Sequence, residues 1–169
     1  EWFDGVEDGY NHEKCWDAFY PSLKRQMPHR IVPDNLPLAR AKDGSKRRIP
    51  GFFDWGPMGK PEKDMPDYKV VDWAITELAK NHAKPFFQAV GSFRPNIPWY
   101  VPQKYFDMYP LDKVKLPYVK EGWLQDLPPE AQKSGSKRRK WHEWIVENDQ
   151  WKKAIQGYLA SITFADVQL

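Results

Sequence analysis

The residues best equipped for chemistry lie in the stretch Arg94-Pro95-Asn96-Ile97-Pro98-Trp99-Tyr100. Arg94 carries a planar guanidinium that can engage two oxygens of one anion and stays charged at any working pH. Asn96 can donate a hydrogen bond from its carboxamide, but it cannot act as a general acid near neutral pH. Trp99 and Tyr100 offer faces suited to stacking on a sugar ring, although aromatics beside prolines pack into cores just as readily. A purely structural account of Arg94 and Asn96 is a turn in which Asn96 bonds its own backbone. The two prolines fix φ and push Arg94 and Ile97 toward extended conformations, so the segment cannot be helix and makes a poor central strand. Just before it, Phe86, Phe87, Gln88, Ala89 and Val90 form a short apolar run expected to be a strand buried on both faces, ended by Gly91 and Ser92. The stretch is therefore expected to be a rigid loop at the carboxyl end of a strand, where open α/β sheets place their ligands.

Elements that would position this loop are visible on both sides. A helix is predicted from Asp67 to His82, with Asp67 as its N-cap and Val71, Ala74, Ile75, Leu78 and Ala79 on one face, while Asp72, Glu77 and Lys80 take the other. His82 is read as a cap on the final carbonyls. A helix followed within five residues by a buried strand is an αβ unit, and it implies parallel neighbours for that strand. Pro102 to Tyr109 is expected to be a short helix, and residues 110 to 130 irregular. A last helix, about Asp149 to Leu169 and beginning as early as Lys140, shows Trp151, Ala154, Ile155, Tyr158, Leu159, Ile162 and Ala165 at three- and four-residue spacing. Gly157 within it is read as permitting close packing. Residues 1 to 66 show little periodicity: Trp16, Phe19 and Tyr20 can share one face of a helical turn, after which Pro21, Pro28, Pro33, Pro37 and Pro50 punctuate an extended path. Gly51 to Pro57 is expected to be an aromatic surface strand or turn.

Composition narrows the class. The 169 residues, 41% hydrophobic and 15% aromatic with 16 prolines, would suffice for one domain with much irregular chain. No run of about 18 apolar residues could span a membrane. Cys15 alone excludes an internal disulfide and a multi-cysteine metal site, and is best read as a small semi-buried residue. Lys133 to Lys140 holds five positive charges in eight residues, and Gly-Ser-Lys-Arg-Arg also stands at 44 to 48. These are read as solvated loops, or as a rim attracting a polyanion. The net charge of only +3 and the lack of any nucleic-acid-binding motif argue against nucleic acid.

The stretch Gly91-Ser92-Phe93-Arg94-Pro95-Asn96-Ile97-Pro98-Trp99, followed by Pro102-x-x-Tyr105-Phe106-x-x-Tyr109-Pro110, resembles the middle of a type I sulfatase of the iduronate-sulfatase-like branch. The resemblance continues in Phe53-Asp54-Trp55-Gly56-Pro57, in Asp64-Met65-Pro66-Asp67 with Val71-Asp72-Trp73-Ala74, and in Gly157 to Asp166. It implies an internal part of one alkaline-phosphatase-like α/β catalytic domain, with residues 1 to 66 an excursion and 67 to 169 carrying helix, strand, active-site loop and helices. It further implies sulfate-ester hydrolysis of a sulfated carbohydrate, with a formylglycine made from Cys or Ser as nucleophile, a calcium ion polarising the sulfate, and export to the periplasm or outside the cell. Arg94 stands where the family often has Lys, and Asn96 where it usually has a His that assists the leaving group. Cys15 is followed by Trp16-Asp17-Ala18 and does not match Cys/Ser-x-Pro-x-Arg, so the nucleophile and the metal ligands are expected outside these residues. The piece alone is then expected to be inactive. Asp72 and Asp166 are read as structural.

Two other classes stay open on these residues. A phosphodiesterase or phosphonate hydrolase of the same superfamily would carry Thr or Ser as nucleophile with two transition metals. A non-catalytic glycan-binding protein would keep Arg94 and the basic rims without the nucleophile.

Overall fold

The computed structural model describes residues 16–20, 38–45, 53–120, 122 and 125–169, and within these the backbone alone for 133–139. Its centre is a pair of parallel strands, β1 (Trp55–Met58) and β2 (Trp99–Pro102), joined by a crossover that contains helix α1 (Pro66–Leu78). Parallel strands require such a crossover because a tight turn can only return the chain antiparallel. The register pairs Trp55 with Trp99, Gly56 with Tyr100, Pro57 with Val101 and Met58 with Pro102. Both strands carry a proline, which a two-stranded sheet accommodates because each strand is also an edge. Chain Gln103–Asp107 forms α2, Pro129–Glu147 forms α3 and Trp151–Gln168 forms α4. The architecture is mixed helix and small parallel sheet, as an α/β reading requires.

Helix α4 lies against both strands and against α2, and it organises two apolar clusters. In one, Phe164 and Ala160 meet Met58, Met65, Tyr100, Val101, Tyr105 and Phe106. In the other, Ala154 joins Ala39, Trp55 and Ile145, flanked by Phe53, Trp99, Trp144 and Trp151. Close approach of α4 to β1 depends on Gly157, where an added Cβ would stand 2.8 Å from the Cβ of Trp55. The packing reading of that glycine is therefore the correct one.

Several expectations need correction. Residues 86–90 are not a buried strand. They are irregular, and Phe86, Phe87 and Val90 are 53%, 81% and 49% exposed. An apolar run becomes a strand only when a neighbouring ladder takes its N–H and C=O groups, and among the described residues none lies beside it. The strand instead forms at Trp99–Pro102, inside what was expected to be loop. Helix α1 ends at Leu78, and its N-cap is Met65 with Pro66 at the first helical position, not Asp67. His82 does lie against the end of α1, its Nε2 3.0 Å from the Glu77 carbonyl oxygen.

The final helix is two helices. Asn148 to Gln150 break it, with Asp149 at φ 53, a left-handed conformation that Asp tolerates better than most residues. Helix α3 extends far upstream of Lys140 and contains the basic run, which is helical backbone and not loop. Pro129 presets the first turn, and Ala, Gln, Lys and Arg sustain it through Ser134-Gly135-Ser136. Trp16 to Tyr20 form bends and no helical turn, yet they do pack on the body: Trp16 stacks on Phe87 at 6.4 Å and Tyr20 on Trp73 at 6.0 Å. Cys15, Lys46 to Arg48, Gly51 and Phe52 lie outside the described residues, as do the side chains of 133–139. No helix among the described residues is long and apolar enough to cross a membrane.

Candidate functional site

The loop that carries Arg94 and Asn96 is tied down from three directions. Asp67, in the first turn of α1 and only 4% exposed, accepts the backbone N–H of Phe93 at 2.7 Å and that of Arg94 at 3.3 Å. Its negative charge suits the N-terminal end of a helix. Inside the loop, Asn96 N–H donates to the Phe93 carbonyl at 2.9 Å, and the Trp99 indole Nε1 donates to the Pro95 carbonyl at 2.9 Å. At the far end, Trp99 N–H donates to the Asp54 carbonyl at 2.9 Å and leads into β2. The peptide bonds Arg94-Pro95 and Ile97-Pro98 are both cis.

Arg94 is half-buried. Its Nε and one terminal nitrogen donate to the Tyr100 carbonyl at 3.3 and 3.0 Å. A guanidinium has five N–H donors in a rigid fork, so this grip leaves donors for an anion on the other edge. Burial pushes its pKa down from the ordinary arginine value, and the nearby Asp67 charge and Tyr100 oppose that. An arginine desolvated in this way, with its chief counter-charge on the backbone side, is poised to gain from an incoming oxyanion. Asn96 is exposed, and its side chain makes no hydrogen bond to any described residue. The carboxamide thus stands at the loop tip, beyond Arg94 in the chain.

Trp99 is half-buried between aromatics, with ring centroids 5.7 Å from Phe53, 6.2 Å from Trp55 and 5.4 Å from Tyr158. Tyr158 is 40% exposed, so the Trp99–Tyr158 pair forms a partly open aromatic ledge on the β2 side of the loop. Tyr100 is placed differently from the sequence expectation. It is 4% exposed, sits in the core, and its hydroxyl donates to the Asp54 carboxylate. A ring closed off on the core side of a sheet cannot stack on a ligand, so its share in the site is the backbone carbonyl that holds Arg94.

Two residues that hold this region together were named in the sequence only as a helix cap or as part of a motif, without these roles. Asp54 is 2% exposed and binds the N–H groups of Leu38 at 2.7 Å and Ala39 at 2.8 Å together with the Tyr100 hydroxyl. Asp67 binds the loop itself. The signal for both was an acid set among aromatic or proline-rich neighbours, where a carboxylate needs donors from elsewhere in the chain. Asp72 and Asp166 are exposed; the Asp72 carbonyl accepts from Thr76 Oγ1 at 2.9 Å and the Asp166 carbonyl from Leu169 N–H at 3.1 Å. Among the described residues no three His, Cys, Asp or Glu side chains converge as metal ligands. The described residues therefore bring together no acidic cluster of the kind that holds a calcium ion.

Comparison with known proteins adds the family. A protein named sulfatase from Formosa agariphila is 37% identical over 141 residues, which are 83% of this chain and 27% of that protein. Human iduronate 2-sulfatase is 32% identical over an alignment of 124 positions that covers 64% of this chain and 22% of the enzyme. The mouse iduronate 2-sulfatase is 32% identical over an alignment of 177 positions that covers 96% of this chain and 30% of the enzyme. No protein-family model and no solved structure matches. Spanning less than a third of the length of these relatives, the chain belongs to the sulfatase family, beside the iduronate 2-sulfatases.

Proposed function

We propose that the protein containing this chain is a formylglycine-dependent sulfuric ester hydrolase that removes sulfate from a sulfated carbohydrate. The observation that carries this is the 37% identity to a bacterial sulfatase over 83% of the chain. In this reading the 169 residues are part of an alkaline-phosphatase-like domain in an exported enzyme, residues 67 to 169 supply one wall of the active site, and the piece alone is inactive. The nucleophile and the calcium site belong to residues other than those described.

What these residues contribute is anion binding and placement of the leaving group. Arg94 meets sulfate oxygens with the edge of its guanidinium not used by Tyr100, held ready before the reaction so that little reorganisation is needed as charge develops. Hydrolysis breaks the bond between sulfur and the sugar oxygen, and that oxygen must end with a proton. Asn96 can donate a hydrogen bond to it but not the proton itself, which then comes from solvent or from a group elsewhere in the enzyme. Trp99, with Tyr158 beside it, offers an apolar face to the sugar ring.

The test is to express the complete open reading frame together with a formylglycine-generating enzyme and measure release of inorganic sulfate from an aryl sulfate and from sulfated oligosaccharides. Turnover is expected, and Arg94→Ala should lower kcat/KM by about 100-fold, the usual loss for one preorganised oxyanion donor. Hydrolysis of a phosphodiester or phosphonate without sulfate release would overturn the reading in favour of phosphoryl chemistry. Binding of a sulfated glycan without any turnover would instead leave a lectin-like protein.

A further inference from the structure

We propose that Asp67 is a positioning residue for the anion-binding loop: its buried carboxylate fixes the consecutive backbone N–H groups of Phe93 and Arg94 and so sets the direction from which the Arg94 side chain meets sulfate. This rests on the sulfatase reading above and assigns a specific part of that site.

The geometry separates Asp67 from an ordinary helix-start acid. One carboxylate oxygen takes Phe93 N–H at 2.7 Å and the other takes Arg94 N–H at 3.3 Å, across 26 and 27 residues of chain. Two consecutive amides on two oxygens of one carboxylate leave that stretch of backbone little freedom to rotate. The carboxylate is itself anchored, because it stands in the first turn of α1, whose Pro66 has a fixed φ and whose Tyr68 packs on the main core cluster. At its other end Arg94 is held by the Tyr100 carbonyl in β2. The residue is thus gripped by α1 through its backbone and by β2 through its guanidinium, and only the outer edge of the fork is left to an anion. Removing the inner grip keeps the arginine but loses its aim, and a misplacement of about 1 Å is enough to cost a large factor in rate.

The experiment uses the full-length, formylglycine-bearing enzyme, with inorganic sulfate as inhibitor of aryl-sulfate turnover. Asp67→Asn keeps one acceptor for Phe93 but turns a donor or a weaker acceptor toward Arg94. Inhibition by sulfate should weaken about tenfold, as expected for losing a charge-assisted hydrogen bond, and KM for the aryl sulfate should rise with it. Asp67→Glu should recover part of the loss. In an Arg94→Ala background the same Asp67→Asn change should alter sulfate inhibition by less than about twofold, because the two residues act as one unit. Equal effects in both backgrounds, or a lower Tm with unchanged sulfate inhibition, would show a merely structural acid and overturn the proposal. If Asp67→Asn does not fold, Asp67→Glu carries the same cycle, with a shift of at least about threefold expected. A wild-type enzyme that releases no sulfate would remove the sulfatase reading itself, and that outcome is seen before any variant is made.

Discussion

The Tyr100 hydroxyl donates to the carboxylate of Asp54, 46 residues earlier, and the same carboxylate collects the N–H groups of Leu38 and Ala39 at 2.7 and 2.8 Å. One buried acid thereby joins an otherwise distant stretch of chain to both strands. Tyr100→Phe removes one of three donors and leaves the ring in place, so it should destabilise the full-length protein by about 1–2 kcal/mol without a selective rise in KM. Asp54→Ala removes the shared acceptor of two backbone amides and the hydroxyl from the interior and should cost about 3–5 kcal/mol. Urea denaturation of both variants measures the difference. Equal losses would mean that Asp54 does not act as the hub that its contacts describe.

Gly157 supplies a second prediction because its sign is unusual. Replacing Gly by Ala within an exposed helix gains about 1 kcal/mol. Here the new methyl would meet the Trp55 Cβ at 2.8 Å, a backbone-proximal atom of β1 that cannot swing aside. Gly157→Ala should therefore destabilise by about 1–3 kcal/mol, as overpacking does. A thermal melt showing a higher Tm would mean that α4 can move off β1 at little cost.

The helices were legible in the sequence where an apolar stripe recurs, as in Val71, Ala74, Ile75 and Leu78 of α1 and in Trp151, Ala154, Ile155, Tyr158, Leu159, Ile162 and Ala165 of α4, but the face that α4 buries runs through Ala154, Gly157, Ala160, Ser161 and Phe164, while Tyr158 and Ile162 are exposed. Helix α3 was hidden because its charged half carries no stripe and was read as loop, while the break at Asp149 depends on a single left-handed residue. Strands β1 and β2 are four residues each with a proline, too short and too irregular to show alternation, and they exist because they pair with each other across a 13-residue helix. Phe86 to Val90 looked like a strand by composition alone, and composition does not supply a ladder. Arg94 and Asn96 could be proposed for the site from residue type and from the family resemblance. The supports could not, since Asp67 reaches Phe93 and Arg94 over distances that no local pattern encodes.

Acid should loosen the joint between Glu62 and the end of α4. Glu62 accepts from Gln168 Nε2 at 2.7 Å and pairs with Lys104 of α2. Burial pushes its carboxyl up, but the hydrogen bonds and the Lys104 charge outweigh that and hold it below the usual carboxylate range. A group whose folded pKa is depressed stabilises the fold above its unfolded pKa, and that contribution is lost as pH falls through the folded value. Glu62→Gln should therefore cost up to about 1 kcal/mol at pH 7, since Lys104 is mostly solvated, and nothing once the pH lies below the folded pKa of Glu62. Denaturant midpoints for both proteins at pH 7 and at pH 3 should converge on acidification. A gap that persists at low pH would assign the effect to shape and not to charge.

Asn96 offers the sharpest functional test because the loop tip can accept a change without disturbing what holds it. Its N–H bond to the Phe93 carbonyl is made by backbone, and its side chain is exposed. Asn96→His should therefore fold normally while placing an imidazole, which can give up a proton near neutral pH, where the carboxamide only donates a hydrogen bond. The gain depends on the leaving group. An aryl sulfate with an acidic phenol expels its oxygen as an anion and needs no proton, so its kcat should change less than about threefold. An alkyl or sugar sulfate expels a basic alkoxide, and there the rate should rise by about tenfold or more, with a new dependence on a group titrating near pH 6 to 7. If both substrates respond equally, or the sugar sulfate slows, Asn96 is placed for binding and the proton already comes from another residue of the enzyme.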